Sequence, residues 1–459
     1  MNSPISSGAG KRPILNQPRS ISSRSRTSRL LRGGLLIASV ALTATAGAQQ
    51  SNSAFSFTSD PQLILDWNRF AQQVIVADNG YVNPLPATRA LAMMHLAMHD
   101  AVNAAAPRYA TYAVRTREQQ ADPAVAAAQA AHDILATIYP GQKAALGTFL
   151  KQYVGDAGVA PNVAKGVALG KRAAADVIAV RADDKSTVEE SYREGRAPGE
   201  YRFVPGFAFV NMPHWRSVKP FALTSPAQFR VKLSPPDLTS PEYGRAFDEV
   251  KRKGARVSDV RSRDESHYAA FWYELSDIGW NRIARVVSRE HPQDLWATAR
   301  TFALLNVALA DSYIAGWDSK MHYNFWRPVS AIRLAAEDGN RTTTPDAKWE
   351  PFLTTPPVQD YPSTHSVLGA AGAVVLAHAF GRDDVSFTFA SLSADPQNPV
   401  RSFRSFSQAA RENAESRVMA GIHFRFAIET GLALGQEIGR YTVTTLLQPA
   451  SQAVTNAAR

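Results

Sequence analysis

The stretch Asp360-Tyr361-Pro362-Ser363-Thr364-His365-Ser366 combines a turn of the chain with the start of an apolar helix. Pro362 keeps the approach extended, and serine and threonine are both residues that cap helix starts. The run from Val367 to Leu376 that follows is apolar and rich in small residues, as in a buried helix. Because a helix start presents unpaired N–H groups and the positive end of a dipole, the stretch predicts an anion site beside His365. A capped helix with a surface histidine is the simpler interpretation of this stretch alone.

Most of the remaining chain is predicted to be helical, because apolar residues recur at helical spacing. The predicted helices cover residues 63–75, 88–105, 123–138, 161–182, 241–254, 264–275, 280–290, 293–336, 363–380, 403–419 and 424–447. Residues 185–240 are rich in proline, glycine and aromatic residues without a clear period, which predicts an irregular segment covering the core. The expected fold class is all-α, with packed helical bundles. An N-terminal helical part (49–240) and a C-terminal part (241–459) are expected, either separate or as one continuous domain.

Composition excludes several classes of site. The chain has no cysteine, so disulfides, thiolate metal sites and a cysteine nucleophile are excluded. The formal net charge is +10, but residues 1–48 carry seven basic residues and no acid, which leaves +3 for the rest. No basic stripe with interleaved aromatic residues occurs, so no nucleic-acid partner is predicted.

Residues 1–48 have the pattern of a cleaved export signal. A basic region ends at Arg32, an apolar run extends to about Leu42, and Ala46-Gly47-Ala48 forms a small-x-small cleavage site. The apolar run is short for a bilayer span, although an uncleaved anchor is an alternative. We therefore expect a periplasmic or extracellular protein with no stable membrane span after signal removal.

Two further stretches contain the residues that an anion site needs. Lys320 and Arg327 are seven apart, which on a continuous helix places both on one face, where they could clamp a tetrahedral oxyanion. Arg417 and His423 are six apart, and Gly421 offers the break that would bring both to one pocket. A surface cation pair and a structural histidine are the alternatives.

His95 and His99 lie four residues apart on a predicted helix. That spacing suits two ligands of one metal ion, but no glutamate lies between them in the manner of an HExxH motif. Packed or surface histidines are the simpler interpretation.

In chain order the three stretches read Lys320-x6-Arg327-Pro328, Pro362-Ser363-Thr364-His365 and Ser416-Arg417-x5-His423. This pattern resembles the three-part signature of the superfamily of vanadium-dependent haloperoxidases and type 2 phosphatidic acid phosphatases. The His423-Phe424-Arg425-Phe426 neighbourhood and the early Arg89–His95 helix are more similar to the bacterial haloperoxidase branch. The motifs cover about residues 300–440, and weaker likeness reaches back to about residue 60.

The resemblance implies a vanadate-binding enzyme that oxidises halide, or a small organic substrate, with hydrogen peroxide. An exported acid phosphatase with a phosphohistidine intermediate, binding phosphate instead, is the alternative, and a non-enzymatic oxyanion-binding or structural helical protein is a third. The resemblance also implies a role for each site residue. Lys320, Arg327 and Arg417 would neutralise the equatorial oxygens of the anion, while Ser363 would donate its hydroxyl and Thr364 its N–H. His423 would be the metal ligand or nucleophile, His365 the acid/base residue, and Trp317 would lie on the halide side.

Three positions depart from the family pattern. Thr364 replaces the usual glycine of the loop, so a side chain is expected to crowd the oxyanion. Ala427 stands where the family often has an aspartate that orients the metal-binding histidine. We therefore expect His423 to use another partner, such as a backbone carbonyl. Val358 stands where haloperoxidases of known halide use have an aromatic residue or histidine near the halide.

Overall fold

A computed structural model describes residues 60–155 and 160–450 of the 459-residue chain. These residues form thirteen α-helices and one two-stranded antiparallel hairpin, which confirms the predicted all-α class. The helices are α1 (Gln62–Ala77), α2 (Pro84–Ala105), α3 (Pro123–Ile138), α4 (Lys143–Val154), α5 (Pro161–Val180), α6 (Pro241–Lys253), α7 (Arg263–Phe271), α8 (Ser276–Glu290), α9 (Leu295–Tyr323), α10 (Pro328–Arg333), α11 (Thr364–Phe380), α12 (Phe406–Met419) and α13 (Arg425–Thr445), and the strands are β1 (Phe387–Ala390) and β2 (Val400–Phe403).

The helix α11 lies at the centre of the C-terminal helices and packs against α8, α9, α12 and α13. Its residues are apolar on all sides, so nearly its whole circumference is buried. Glycines on α13 allow a close approach: a Cβ on Gly431 would lie 2.5 Å from the carbonyl oxygen of Ser363, and one on Gly439 would lie 2.8 Å from the Cβ of Val374. Larger residues are excluded there, so α13 holds the start of α11 in place.

The helices before residue 240 pack beside this group. α2, α3 and α5 contact one another, and α2 also packs against α9. The predicted boundary between residues 240 and 241 stays a prediction, and the predicted signal peptide (1–48) lies outside the described residues. Within those residues, no helix combines the length and apolar content needed to cross a membrane.

The structure differs from the predicted helices in three places. The helical region predicted over 293–336, with a possible bend, is divided: α9 ends at Tyr323, where Asn324 follows in a left-handed conformation with φ of 49°, and α10 begins at Pro328. α4 was not predicted, and neither was the hairpin of β1 and β2. The hairpin strands are only four residues long, too short to give a clear alternating pattern, and they are held by burial of Phe389 and Phe403 against Trp272.

Candidate functional site

Lys320 on α9 lies beside the loop that leads into α11. Its side chain is completely buried, and its Nζ donates to the carbonyl oxygens of Gln359 at 2.6 Å and Asp360 at 3.0 Å. A buried ammonium group must donate to protein acceptors, because leaving its N–H groups unpaired is costly. These hydrogen bonds join α9 to the loop. The structure therefore brings the first predicted stretch against the second.

Arg327 connects the same loop to the turn between α12 and α13. Its Nε donates to the carbonyl oxygen of Val358 at 2.6 Å, and its Nη1 donates to that of Ile422 at 2.6 Å. The prediction that Lys320 and Arg327 share one helix face is wrong, because the chain leaves the helix at Asn324 and Arg327 precedes α10. The two cations meet through this turn instead.

Arg417 and His423 lie on either side of a sharp turn between α12 and α13. Gly421 adopts a φ of 78°, and its backbone packs so closely against Gly254 that no Cβ would fit. The His423 N–H donates to the carbonyl oxygen of Arg417 at 3.3 Å, which closes the turn. The break that the sequence predicted at Gly421 is present, and both side chains are buried.

Ser363 occupies the N-cap position of α11 but does not cap the helix with its side chain. Its N–H donates to the carbonyl oxygen of Ala427 at 2.9 Å, while its Oγ is buried without a hydrogen-bond partner among the described residues. The first N–H groups of α11, including that of Thr364, have no intrahelical acceptor. The start of α11 therefore keeps a hydroxyl and N–H groups available.

Thr364 fits into a notch on α9. Its Cγ2 methyl lies where a Cβ of Gly316 would be, so the glycine makes room for it. The methyl group packs against α9, while crowding of the oxyanion by this side chain stays a prediction. The structure thus accommodates the departure from the family glycine.

The site contains more positive than negative charge. Lys320, Arg327 and Arg417 are each at most 1% exposed, and the carboxylate nearest to Arg327 is that of Asp360, whose Oδ1 lies 3.9 Å from Nη1. Nε and Nη2 of Arg417 have no hydrogen-bond partner in the described part of the chain. Buried cations with unused donors are costly unless an anion accepts from them. The donor set fits a tetrahedral oxyanion such as vanadate or phosphate.

Burial and repulsion between the site's cations both lower the pKa values of its basic side chains. Burial, followed by repulsion from Arg327, lowers the pKa of Lys320 well below its usual value. Burial lowers the pKa of Arg417 to about 10. The pKa of His423 is also lowered well below its ordinary value, first by burial and then by Arg327. An oxyanion among these side chains would offset the repulsion, so its binding would be favourable.

His365 lies half-buried at the first turn of α11. Its Nε2 is 3.2 Å from the carbonyl oxygen of Glu274, an acceptor only, so Nε2 carries the proton and Nδ1 is the basic nitrogen. Burial, and then the charge of Arg417, lower the pKa of His365 well below its ordinary value. The ring is therefore neutral and can accept a proton through Nδ1.

Trp317 is 4% exposed and is covered by the irregular segment between α5 and α6. Its Nε1 donates to the carbonyl oxygen of Asn211 at 3.1 Å, and the Asn211 N–H donates to that of Pro357 at 2.8 Å. These bonds join the segment to the wall of the site, as the sequence predicted for a covering role. Val358, which lies next to Pro357, is buried.

Residues that sequence reasoning missed also contribute. Tyr273 places its ring 5.7 Å from the Cζ of Arg417, and Asp360 contacts His423. Asp360 was visible in the stretch quoted first, but an acid near a histidine in space gives no spacing signal. Asp264 and Glu265 do not pair with the site arginines, because Asp264 pairs with Arg401 and Glu265 with Lys253.

The two early histidines are packed in the interior. His95 is fully buried, and its Nε2 accepts from Nδ2 of Asn68 at 2.8 Å. His99 Nδ1 lies 3.3 Å from the carboxylate of Asp100. No group of three or more His, Cys, Asp or Glu side chains suited to a metal ion occurs in residues 60–155 or 160–450.

Comparison with known proteins relates the chain to vanadium haloperoxidases. Residues 300–452 match the family model of the VCPO second helical-bundle domain. The vanadium chloroperoxidase of Curvularia inaequalis is 26% identical over 483 aligned positions, which cover 79% of this chain and 78% of that protein.

Solved structures agree with this placement. The crystal structure of the first bacterial vanadium-dependent iodoperoxidase is 27% identical, with a TM-score of 0.73 over 84% of this chain and 97% of that one. A holo-type bacterial vanadium-dependent chloroperoxidase, 18% identical, shares the fold with a TM-score of 0.63 over 79% of this chain and 92% of that one. The family-model match, the chloroperoxidase and the solved structures together support the superfamily of vanadium-dependent haloperoxidases and type 2 phosphatidic acid phosphatases for this chain.

Proposed function

We propose that this protein is an exported, vanadium-dependent haloperoxidase-like enzyme that oxidises halide with hydrogen peroxide at a histidine-bound vanadate. The observation that carries the proposal is the buried cluster of Lys320, Arg327 and Arg417 with unused donors beside His423. The relatives support it, since vanadium appears in the names of the curated relative and of the similar solved structures. Export rests on the signal-like pattern of residues 1–48.

Each residue of the cluster has a separate proposed role in binding the oxyanion. The three cations would neutralise its oxygens, Ser363 Oγ and the Thr364 N–H would donate to it, and Nε2 of His423 would be the ligand of the central atom. When bound, vanadate supplies a Lewis-acid centre that activates peroxide. Because burial and backbone contacts hold these donors in place, little reorganisation is needed when charge develops on the oxygens.

His365 is the proposed acid/base residue. Its Nε2 side faces the Glu274 carbonyl, so only Nδ1 is available to take a proton from incoming hydrogen peroxide. The imidazolium formed in this way can return the proton to a departing oxygen. Trp317 is proposed to line the halide side, because it is buried in the wall formed with the covering segment.

The alternative function is phosphate-ester hydrolysis in the same pocket. Two observations favour it: Val358 replaces the aromatic residue or histidine of the halide side, and His423 Nε2 faces the cations. Nε2 would attack phosphorus while the P–O bond to the alcohol breaks and the leaving oxygen takes a proton from water, since the neutral ring of His365 has none on Nδ1. Water deprotonated by His365 would then break the N–P bond and restore His423.

One assay separates these functions. The protein is purified without added metal, supplied with orthovanadate, and tested for bromination of a phenolic dye by hydrogen peroxide. We expect activity that depends on vanadate and is lost in His423→Ala. The matched control is His378→Ala, an exposed histidine at the far end of α11, which should retain activity. Phosphate-ester hydrolysis inhibited by vanadate would support the alternative, and absence of both activities and of vanadate binding would overturn both.

A further inference from the structure

Asp360 lies beside the ring of His423. Its Oδ1 is 2.9 Å from Nδ1 of His423, and both side chains are buried. Ala427, at the position where the family often carries an aspartate, offers no such group. We propose that Asp360 is the positioning residue of His423 and replaces the missing carboxylate from a different part of the chain. This inference rests on the proposed function and deepens it.

The contact with Arg327 shows which nitrogen of His423 carries the proton. Nη1 of Arg327 lies 2.8 Å from Nε2 of the ring. A guanidinium group has only donors, so Nε2 must accept, and the proton of the neutral ring is on Nδ1. The N–H of the ring therefore belongs to the side of Asp360, and the lone pair of Nε2 faces the cations.

The backbone of Asp360 is held from two directions. Its N–H donates to the carbonyl oxygen of Phe325 at 3.0 Å, and its own carbonyl oxygen accepts from Nζ of Lys320 at 3.0 Å. Across the described residues, neither oxygen of its carboxylate has a partner with hydrogen-bond angles, and the same is true of Nδ1 of His423. Oδ1 of Asp360 and Nδ1 of His423 nevertheless lie within hydrogen-bond distance of each other.

A second role for Asp360 has to be distinguished from positioning. Its carboxylate could act only as a counter-ion for Arg327, from which Oδ1 lies 3.9 Å away. That distance is 1.0 Å longer than the one to His423. A counter-ion needs only negative charge, whereas a positioning residue needs an acceptor oxygen beside Nδ1.

The two roles predict different results for Asp360→Asn and Asp360→Val. Asn keeps an acceptor oxygen but loses the charge, while Val loses both. We expect vanadate to bind Asp360→Val about 10- to 100-fold more weakly than the wild type, and Asp360→Asn to fall between them. The matched control is Asp338→Asn, a buried carboxyl that accepts from Asn340 and Thr343 in another loop and should not change vanadate affinity.

A second measurement needs no vanadate. In protein labelled with ¹⁵N-histidine, the wild type should show a protected Nδ1–H signal that disappears in His423→Gln. This signal should persist in Asp360→Asn and disappear in Asp360→Val. If Asp360→Val does not fold, the Asn variant and the wild-type spectrum still decide the question.

Equal weakening of vanadate binding by both variants would indicate a counter-ion and overturn the inference. A wild-type spectrum with the His423 proton on Nε2 would also overturn it. If the wild type binds neither vanadate nor phosphate, the proposed function fails, while the Nδ1–H signal still tests the contact by itself.

Discussion

The notch at Gly316 gives the sharpest prediction about the site. A Cβ at this position would lie closer than 3.0 Å to the Cγ2 methyl of Thr364, whereas the Thr364 Cβ would lie at 3.8 Å. For Gly316→Ala, the methyl must therefore move by about 1 Å to reach the shortest ordinary contact of 3.4 Å. Overpacking of this kind costs about 1–3 kcal/mol. In a helix without the clash, replacing glycine by alanine stabilises the protein by about 0.4–1 kcal/mol. The sign of the change in unfolding free energy therefore shows whether the clash is present.

Urea unfolding followed by circular dichroism measures the effect. Gly316→Ala should lower the unfolding free energy, and Thr364→Ser, which lacks the methyl, should cost about 1 kcal/mol. The double variant should be more stable than the sum of the two changes predicts, because the serine has no Cγ2 to clash. Gly147→Ala on α4 is the control, since a Cβ there meets nothing within 4 Å. Additive free energies, or a Gly316→Ala variant as stable as the wild type, would refute the reasoning.

Three further predictions concern binding and pH. Arg417→Ala should weaken vanadate binding by about 10- to 150-fold, measured by calorimetry, because hydrogen bonds to charged groups contribute about 1.5–3 kcal/mol; the exposed Arg411→Ala should not. Burial lowers the pKa of His95 to about 3, so the unfolded state binds its proton first and stability falls as pH drops below the ordinary value of 6.5. Between pH 6.5 and pH 5 this group should cost about 2 kcal/mol, and His95→Gln should remove that part of the pH dependence of urea unfolding; equal slopes would contradict it. Vanadate at a hundred times its dissociation constant should stabilise the protein by about 2.7 kcal/mol in thermal unfolding, and should not stabilise His423→Ala at the same concentration.

Local chemistry made much of the fold predictable. Helix starts at Pro123 and Pro241 carry a cap residue followed by proline, and the structure has helices beginning at both. The apolar run after Ser363 predicted a buried helix, and α11 is buried on nearly all sides. These helix starts and this apolar run depend only on residues that are neighbours in sequence, so they can be predicted without the tertiary structure. The left-handed turn at Asn324 could not, because asparagine only permits that conformation.

The sequence by itself determined the all-α class and the residue types of the site: the cations, Ser363 and the two histidines. Only the tertiary structure decided how they meet. It placed Arg327 beyond the end of α9, directed the Thr364 methyl into the notch at Gly316, and brought Asp360 to His423. Each of these contacts joins residues from separate segments of the chain. The spacing of residues along the chain does not predict these distances, because the packing of α9, α11 and α13 sets them.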